Sequence, residues 1–418
     1  MSAAFDVEVA IIGAGVIGLA TALQLLDEGR EVMLIDPNEP GSGASFGNAA
    51  TIAEYGCVPV GGPQVLRSLP RLLLDRDSPL SLPPSAWPAM LPWLMRFLRA
   101  CSTSAATSGA AALAPILARA TTAWERRWAA LQCEDLVRRA GCLYLRREAP
   151  SLREFDLRLR AKHGVRQQIL SPAEVARLEP ALAPLERHGV FFPDASHVDS
   201  PAALTWRMAA AAHRHGAHFR RARVTGLALR ATGAQLELQV EGASSSLRAR
   251  QVVIAAGAES RALARQAGEA VPLDTERGYH LEYAIDTPPV SRPVCPVERG
   301  VYLTPLTGRL RVAGTVEFGG LARPANPKRW ALLDRNAREL FPSLPLPASQ
   351  WLGFRPSMPD SVPVIGRARS TPDVVLAFGH GHLGMTLAAI TAELVAAELR
   401  GNAEAAMMAP YSPRRWYR

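Results

Sequence analysis

Asp6-Val7-Glu8-Val9-Ala10-Ile11-Ile12-Gly13-Ala14-Gly15-Val16-Ile17-Gly18 opens the unit whose reading decides the fold, and Glu31-Val32-Met33-Leu34-Ile35-Asp36 closes it. The apolar run from Val7 to Ile12 suits a central parallel strand buried on both faces. Gly13 permits a tight turn, Gly15 lets the backbone approach a pyrophosphate, and Gly18 lets a helix pack close to the strand. Leu19, Leu23 and Leu26 recur at helical spacing, and Gly29 suits the residue just past a helix end. The helix start offers free N–H groups and a partial positive charge to phosphates. Asp36 ends the second strand where an unphosphorylated ribose would lie. A strand before the glycines, a helix after them and an acid at this distance make the GxGxxG pattern specific.

Outward from this unit, composition sets the class. The chain has 418 residues, enough for two or more domains with a large core. It is 48% hydrophobic and 20% charged, which describes a globular protein and excludes a disordered one. The net charge is +9, but the only lysines are Lys162 and Lys328, and the arginines are scattered. That pattern reads as compositional habit, without the aromatic-interleaved basic patch of a nucleic-acid binder. The five cysteines are odd in number and lack CxxC spacing, which suits a reducing compartment with neither a disulfide framework nor a zinc site. His213, His215 and His218 straddle a helix end at Gly216, so no metal site is expected there. The N-terminus has no basic, apolar leader, and no run of 18 apolar residues lacks breakers. A cytoplasmic location is expected.

The chain then offers a second run of small residues, Gly41-Ser42-Gly43-Ala44-Ser45-Phe46-Gly47-Asn48-Ala49-Ala50. A nicotinamide half-site needs no such loop here, whereas a flavin with its long ribityl chain does. Trp87, Met90, Leu91, Leu94, Phe97 and Leu98 fall near one helical face beside Arg96 and Arg99. A core-facing helix is the expectation, and a patch lying on a membrane surface is the alternative. Residues 102–114 read as a loop and 118–139 as a helix. Helices are expected over 151–162, over 172–178 with a Ser171/Glu174 capping box, and from Pro201 to about His215. A strand is expected at Val190–Phe192, and Val224 closes the next one. A hairpin is expected over 226–248, and a buried strand from Gln251 to Ala255 ends in Ala256-Gly257. Strands at Tyr279–Ile285, Val301–Thr304 and Leu310–Glu317, with no helices between, predict an antiparallel sheet.

The last informative stretch is Gly353-Phe354-Arg355-Pro356-Ser357-Met358-Pro359-Asp360-Ser361-Val362-Pro363-Val364-Ile365-Gly366, followed by a strand at Val374–Phe378. Gly379-His380-Gly381-His382-Leu383-Gly384-Met385-Thr386 then leads into a helix to about Leu399. Glycine turns at both ends of one chain suggest one long cofactor held from both ends.

These two ends together resemble the FAD-dependent amino acid oxidoreductases of the D-amino acid oxidase superfamily, and within it the bacterial D-amino acid dehydrogenases of small-subunit type. Gly47-Asn48-Ala49, Glu276-Arg277-Gly278-Tyr279-His280 and Arg311-Val312-Ala313-Gly314-Thr315-Val316-Glu317-Phe318 also resemble that group, so the likeness spans the chain. It implies an α/β fold: a discontinuous Rossmann-like FAD-binding domain over 1–60, 150–270 and 350–418, and a substrate domain with a mixed or antiparallel sheet over 61–149 and 271–349. It implies FAD contacts from Gly13, Gly15, Val16, Ile17, Gly18, Asp36 and Pro37. Ser45, Gly47, Asn48 and Ala49 follow, then Val224, Ala256, Gly257, Gly353 and Arg355. The loop Gly379, Gly381, His382, Leu383, Gly384 and Met385 completes the set. It implies that Arg355 holds a substrate carboxylate, a role that suits the planar guanidinium fork. Tyr279 or Tyr302 would share the carboxylate, and His380 or His382 would accept the amine proton.

Typical members resemble GHGTLGWT at the C-terminal loop, whereas this chain has GHGHLGMT. His382 and Met385 make it similar to the D-hydroxyproline dehydrogenases. The expected chemistry is dehydrogenation of a D-amino or D-imino acid, such as cis-4-hydroxy-D-proline or D-proline. D-alanine, glycine and sarcosine are alternative substrates, and an RNA-modifying flavoprotein is the rival class. The expected partners are a quinone or other electron acceptor, a peripheral membrane contact on the inner face of the cell membrane, a second copy of the chain, and no nucleic acid. The two lysines lie outside the flavin motifs, so slow oxygen use is expected.

Overall fold

The structure is a computed structural model that describes residues 5–75 and 77–417. In chain order, β1 (Val7–Ile12), α1 (Val16–Asp27) and β2 (Val32–Asp36) form the opening unit. Helices α2 (Pro63–Leu74), α3 (Trp87–Ala100) and α4 (Thr103–Leu131) come after it, then strand β3 (Cys142–Arg146). Helix α5 (Pro201–Arg214) precedes β4 (Ala243–Ile254). Strands β5 (Asp274–Ala284), β6 (Val294–Pro296), β7 (Val301–Leu306) and β8 (Arg309–Phe318) come next. Helix α6 (Pro327–Leu340), β9 (Ser349–Ser357), β10 (Val374–Phe378) and α7 (Gly384–Arg400) complete the frame.

Two large sheets carry the fold. In the first, β1 lies between β2 and β4, and both pairings are parallel. Ile12 is level with Ile35 on one side and Ile254 on the other. Three parallel strands therefore end together, and the next residue of each, Gly13, Asp36 and Ala255, contributes to one rim. That is where α/β sheets place ligands. β10 joins β4 in parallel, so the C-terminal glycine turn leaves the sheet at the same rim. Val9, Ile11, Leu34, Val253 and Val375 are all at most 1% exposed, as strands covered on both faces require.

The second sheet is mostly antiparallel. Its order is β9-β5-β8-β7-β6-β3, then His188–Phe192 and Gln168–Leu170. Helix α6, which had no counterpart in the sequence reading, covers one face. Tyr279, Leu281, Tyr283, Leu333 and Ala337 form a core between them. The other face looks toward the rim of the first sheet.

Several expectations are corrected. Residues 102–114 are not a loop: Ser102 caps α4 by accepting from the Ala105 N–H at 3.2 Å, and the helix runs unbroken to Leu131 rather than to 139. The run of Ala, Ser, Thr and Gly reflects close packing. Ala106, Gly109 and Ala110 are buried, and a Cβ on Gly109 would sit 2.8 Å from the Pro59 ring. The hairpin over 226–248 and the strand at 251–255 are parts of one meander, whose last strand β4 is long enough to pair with both β1 and Ala234–Val240. His188–Phe192 and Gln168–Leu170, expected with the nucleotide-binding portion, hydrogen-bond into the second sheet through β3. The capping box at Ser171 and helix α5, capped by Ser200, form as the sequence reads.

Helix α3 faces the core on one side, as expected. Met90 and Trp93 are buried against Phe318, while Trp87, Leu91, Met95 and Leu98 are exposed. The helical stretch Gly381–Arg400, which contains α7, is long and apolar enough to cross a bilayer by length and composition, yet 72% of its most apolar window is buried inside the protein. Packed between α1 and α4, it is the central helix of the core.

Candidate active site

Between the two sheets lies a cavity of about 1100 Å³. One end is the rim of the first sheet. Gly13 has φ +105°, and a Cβ there would sit 2.4 Å from the Ala255 carbonyl oxygen. A Cβ on Gly18 would lie 1.9 Å from the Gly13 carbonyl oxygen. Both glycines are demanded by space, and Gly13 also by its backbone conformation. Gly13, Gly15, Val16, Ile17, Asp36 and Pro37 line the cavity, whereas Gly18 acts from behind by letting α1 approach the turn. Asp36 accepts from the Ala14 N–H at 2.9 Å and the Asn38 N–H at 2.8 Å, which orients the carboxylate at the strand end. Burial pushes its pKa up, and those two N–H groups oppose the shift. Ser45 is buried, and its hydroxyl accepts from the Val16 N–H at 2.9 Å. The small-residue loop is thereby locked to the start of α1. Val224, Ala256 and Gly257 line the same end, beside an Arg223–Glu259 ion pair.

The loop Gly47-Asn48-Ala49 is held by the second sheet, one carbonyl per strand. His280 on β5 meets the Gly47 carbonyl at 2.9 Å, Arg311 on β8 donates to the Asn48 carbonyl at 2.8 Å, and Thr304 on β7 donates to the Ala49 carbonyl at 2.9 Å. Arg311 is fixed in turn by Glu282 at 2.7 Å. Burial first, and Arg311 second, lower His280 to about 4, so its ring is neutral at the hydrogen bond. With their carbonyls turned away, these three residues line the cavity. Trp351 stacks on His280 at 5.2 Å between centroids, and a Cβ on Gly47 or Gly353 would strike the Trp351 ring. The motifs that resemble one family in sequence are thus one interlocked unit in space.

The third wall is the start of α7. Gly381, His382, Gly384 and Met385 line the cavity, and the first turn of the helix directs its N–H groups there. Gly379 and Leu383 do not line it: Gly379, at φ +82°, packs on Met358, and the buried Leu383 packs on Gly56. Trp124 of α4 donates to the carbonyls of Met385 and Thr386 at 2.9 and 3.0 Å, and the Thr386 hydroxyl accepts from the Ala53 N–H at 2.9 Å. The segment that read as a loop therefore begins the helix that positions this turn.

At the other end of the cavity Arg355 lies flat over Gly278, where a Cβ would sit 2.3 Å from the guanidinium carbon. Its Nη1 donates to the Thr315 carbonyl at 2.8 Å, leaving the rest of the fork toward the cavity. Burial lowers its pKa from the ordinary value, but guanidinium remains charged. Glu276 stands directly across from Arg355 in the β5–β9 register. Burial pushes its carboxyl above the usual range, opposed by Arg355 and the Ser357 hydroxyl.

The four remaining candidates divide. Tyr302 belongs to the cavity wall, with its hydroxyl 2.7 Å from that of Tyr144 and 3.5 Å from that of Tyr55. Tyr279 also borders the cavity, but its hydroxyl faces α6: it donates to Glu317 and accepts from the Asn326 N–H at 3.1 Å, and the ring meets Trp330 edge-on. Along β5 it points opposite to Gly278, so its hydroxyl is not offered to a substrate. His380 is 2% exposed, with Nε2 3.0 Å from the Thr391 hydroxyl, and burial lowers it to about 3. His382 is exposed and faces the cavity, where the surrounding walls and then Arg355 disfavour its charged form. The buried His380 ring is a poor proton acceptor near neutral pH.

Sequence reasoning missed Glu276 as a site residue, together with Tyr144, Trp351 and the pinning residues His280, Thr304 and Arg311. The alternation of β5 was the available signal for Glu276, since it shares a face with Gly278 and His280. The five cysteines are all buried and free.

An FAD fits this enclosure on three counts. Glycines clear its nucleotide rim, an acid stands at the ribose position, and the cavity continues past two further backbone cradles to a guanidinium. The chain matches the family described as FAD dependent oxidoreductase over residues 8–398. It is 37% identical over 422 residues to a D-amino-acid oxidase of Bradyrhizobium diazoefficiens, covering 98% of each chain. It is 33% identical to a D-amino acid dehydrogenase of Paramagnetospirillum magneticum, covering 96% of this chain and 97% of that one. Its fold is like the crystal structure of glycine oxidase from Geobacillus kaustophilus, with a TM-score of 0.74 at 22% identity over 99% of each chain. With the family matched across both sheets and relatives alike from end to end, the chain belongs to the FAD-dependent oxidoreductases and is a flavoenzyme whose cofactor is FAD.

Proposed function

We propose that this enzyme dehydrogenates D-amino acids, and that its favoured substrates are D-imino acids such as cis-4-hydroxy-D-proline or D-proline. The observation that carries the reading is Arg355, flat against Gly278, with its fork open to the cavity across from the start of α7. A guanidinium so placed holds a carboxylate in one orientation, which fixes where the α-carbon lies. FAD, when bound, supplies the acceptor for the hydride leaving that carbon. The Tyr302–Tyr144 hydroxyl pair offers polar contact on the same wall. With His380 buried and neutral, Arg355 is the permanently charged cation that a carboxylate meets there. His382 and Met385 at the helix start favour the D-imino acids, because they shape the floor of the cavity beside Arg355.

The electron acceptor in this reading is a quinone or another carrier rather than oxygen. Lys162 and Lys328 are both exposed and neither lines the cavity. Trp87, Leu91, Met95 and Leu98 of α3 are exposed and also border the cavity. Neither α2 nor α3 carries an acidic residue, and α3 carries Arg96 and Arg99. Such an edge suits peripheral contact with an anionic membrane, which dissolves quinones. The D-alanine-preferring alternative has the same Arg355 geometry. Anaerobic bleaching of the flavin against cis-4-hydroxy-D-proline, D-proline, D-alanine, L-proline, sarcosine and glycine separates the two. Fastest bleaching by the D-imino acids is expected. Fastest bleaching by D-alanine would give the broader dehydrogenase, and no bleaching by any of them would sink the reading.

A further inference from the structure

We propose that Glu276 is the group that recognises the substrate's ammonium, so that Glu276 and Arg355 together form a receptor for an amino acid zwitterion. The inference rests on the reading that Arg355 receives the carboxylate.

Glu276 and Arg355 are directly opposed residues of an antiparallel pair and both line the cavity. Opposed side chains on such a pair start about 5 Å apart. A carboxylate and a guanidinium placed so would ordinarily close into an ion pair, yet these do not. Among the described residues, no cationic nitrogen lies within 4.0 Å of the Glu276 carboxylate. Arg355 reaches away from it, over Gly278 and onto the Thr315 carbonyl. Gly278 is two residues along β5, a displacement of about 7 Å. Gly278 permits this posture, because any side chain there would fill the space the guanidinium occupies. Cation and anion are thus held apart on one wall by about the span of a ligand that carries both an anion and a cation on one carbon.

The surroundings leave Glu276 as the sole candidate for this task. Four acids line the cavity: Asp36, Glu39, Glu259 and Glu276. The first three belong to the nucleotide end, Asp36 at the end of β2, Glu39 just after it and Glu259 after β4, where Glu259 pairs with Arg223. Glu276 is the only acid that the second sheet contributes among the described residues. A buried carboxylate with only the Ser357 hydroxyl and a withdrawn Arg355 to stabilise it is unfavourable as an anion, and a ligand ammonium supplies a direct ionic partner. The pair with Arg355 sums to zero charge, so a zwitterion enters without leaving a net charge behind. A 2-hydroxy acid of the same shape satisfies Arg355 and leaves Glu276 unpaired, which is how a polar site rejects an analogue lacking one group.

The test compares ligands that differ in the amine, bound to FAD-loaded protein and read by flavin absorbance shift and calorimetry. The probes are L-proline, a zwitterion expected not to reduce the flavin of a D-specific enzyme, and cyclopentanecarboxylate, which has the ring and carboxylate alone. Glu276→Gln should weaken L-proline binding about tenfold to a hundredfold while cyclopentanecarboxylate binding changes less than about twofold. Glu276→Asp, which keeps the charge at shorter reach, should recover part of the loss and serves if the Gln variant does not fold. Equal weakening of both ligands would mean that Glu276 merely positions Arg355, and would overturn the proposal. No change in either would overturn it as well. If the wild-type flavin is bleached by D-amino acids but the Gln variant keeps the wild-type ratio, only this inference fails. If no amino acid bleaches the wild type, the substrate reading itself has failed.

Discussion

The two ends of the cavity are built in opposite ways. The nucleotide end is built around one stretch of 31 residues, Asp6 to Asp36, joined by the Ser45 loop, the end of β4 at Ala255 and the start of the strand that holds Val224. The substrate end is a row across the second sheet: Arg355 on β9, Glu276 and Gly278 on β5, Thr315 on β8, Tyr302 on β7 and Tyr144 on β3. Its members span more than 200 positions of sequence. A local motif declares its ligand in sequence, whereas a row across strands exists only once register is set. The first end therefore fixes what cofactor is held, and the second fixes what is done with it.

Mutations should separate the two ends cleanly. Gly13→Val places side-chain atoms against the Ala255 carbonyl at a backbone conformation that valine avoids, so the protein should purify without FAD or fail to fold. Flavin absorbance and far-UV circular dichroism read this directly. Arg355→Gln should instead keep a full complement of FAD while kcat/KM for D-amino acids falls about a thousandfold. A yellow but inactive Gly13→Val protein, or a colourless Arg355→Gln protein, would erase the distinction.

Acid should act through the buried histidines, His197, His280 and His380, each of which burial holds neutral. His380 is buried neutral, with a folded pKa of about 3 against an ordinary 6.5. Below pH 6.5 the unfolded chain binds a proton that the folded chain refuses, so stability is full above that value and declines as pH falls toward 3. The slope is about 1.4 kcal/mol per pH unit for such a group. Asp36 works with the opposite sign, since its raised carboxyl favours the folded state in acid. Thermal melts between pH 7 and 4.5 should show a falling Tm, and His380→Asn should flatten the decline. An unchanged slope in that variant would place the acid sensitivity elsewhere.

Gly278→Ala is a finer probe. Its methyl group would occupy the Arg355 guanidinium site, so KM should rise about tenfold with FAD content intact. The smallest functional effect is expected at Tyr279. Tyr279→Phe leaves Glu317 short of a donor on the α6 side of the sheet, costing about 1–3 kcal/mol of stability with KM unchanged. A raised KM with normal stability would return Tyr279 to the substrate.

The same contrast explains what the sequence disclosed. The βαβ unit, its glycines and Asp36 were legible because each physical requirement is met by a near neighbour in the chain. The second glycine turn was legible for the same reason. Tyr279 and Tyr302 looked equivalent as strand tyrosines, and only the pleat of β5 and the position of α6 tell them apart. Glu276 was visible within a motif but silent as to its role, because the role depends on Arg355 nearly eighty positions away. The 102–114 stretch misled because small residues mark both loops and tight helix contacts, and its partners, Pro59 and α7, are distant in sequence. His380 looked like a base until its burial was known.

The most direct test of the substrate end is anaerobic mixing of D-proline with FAD-loaded wild-type protein and with Arg355→Gln, with each reaction monitored at the flavin absorbance. The wild type should bleach rapidly and the variant about a thousandfold more slowly, with equal FAD content in both. Equal bleaching of the two proteins would contradict the role given to Arg355, because the substrate end would then work without its guanidinium.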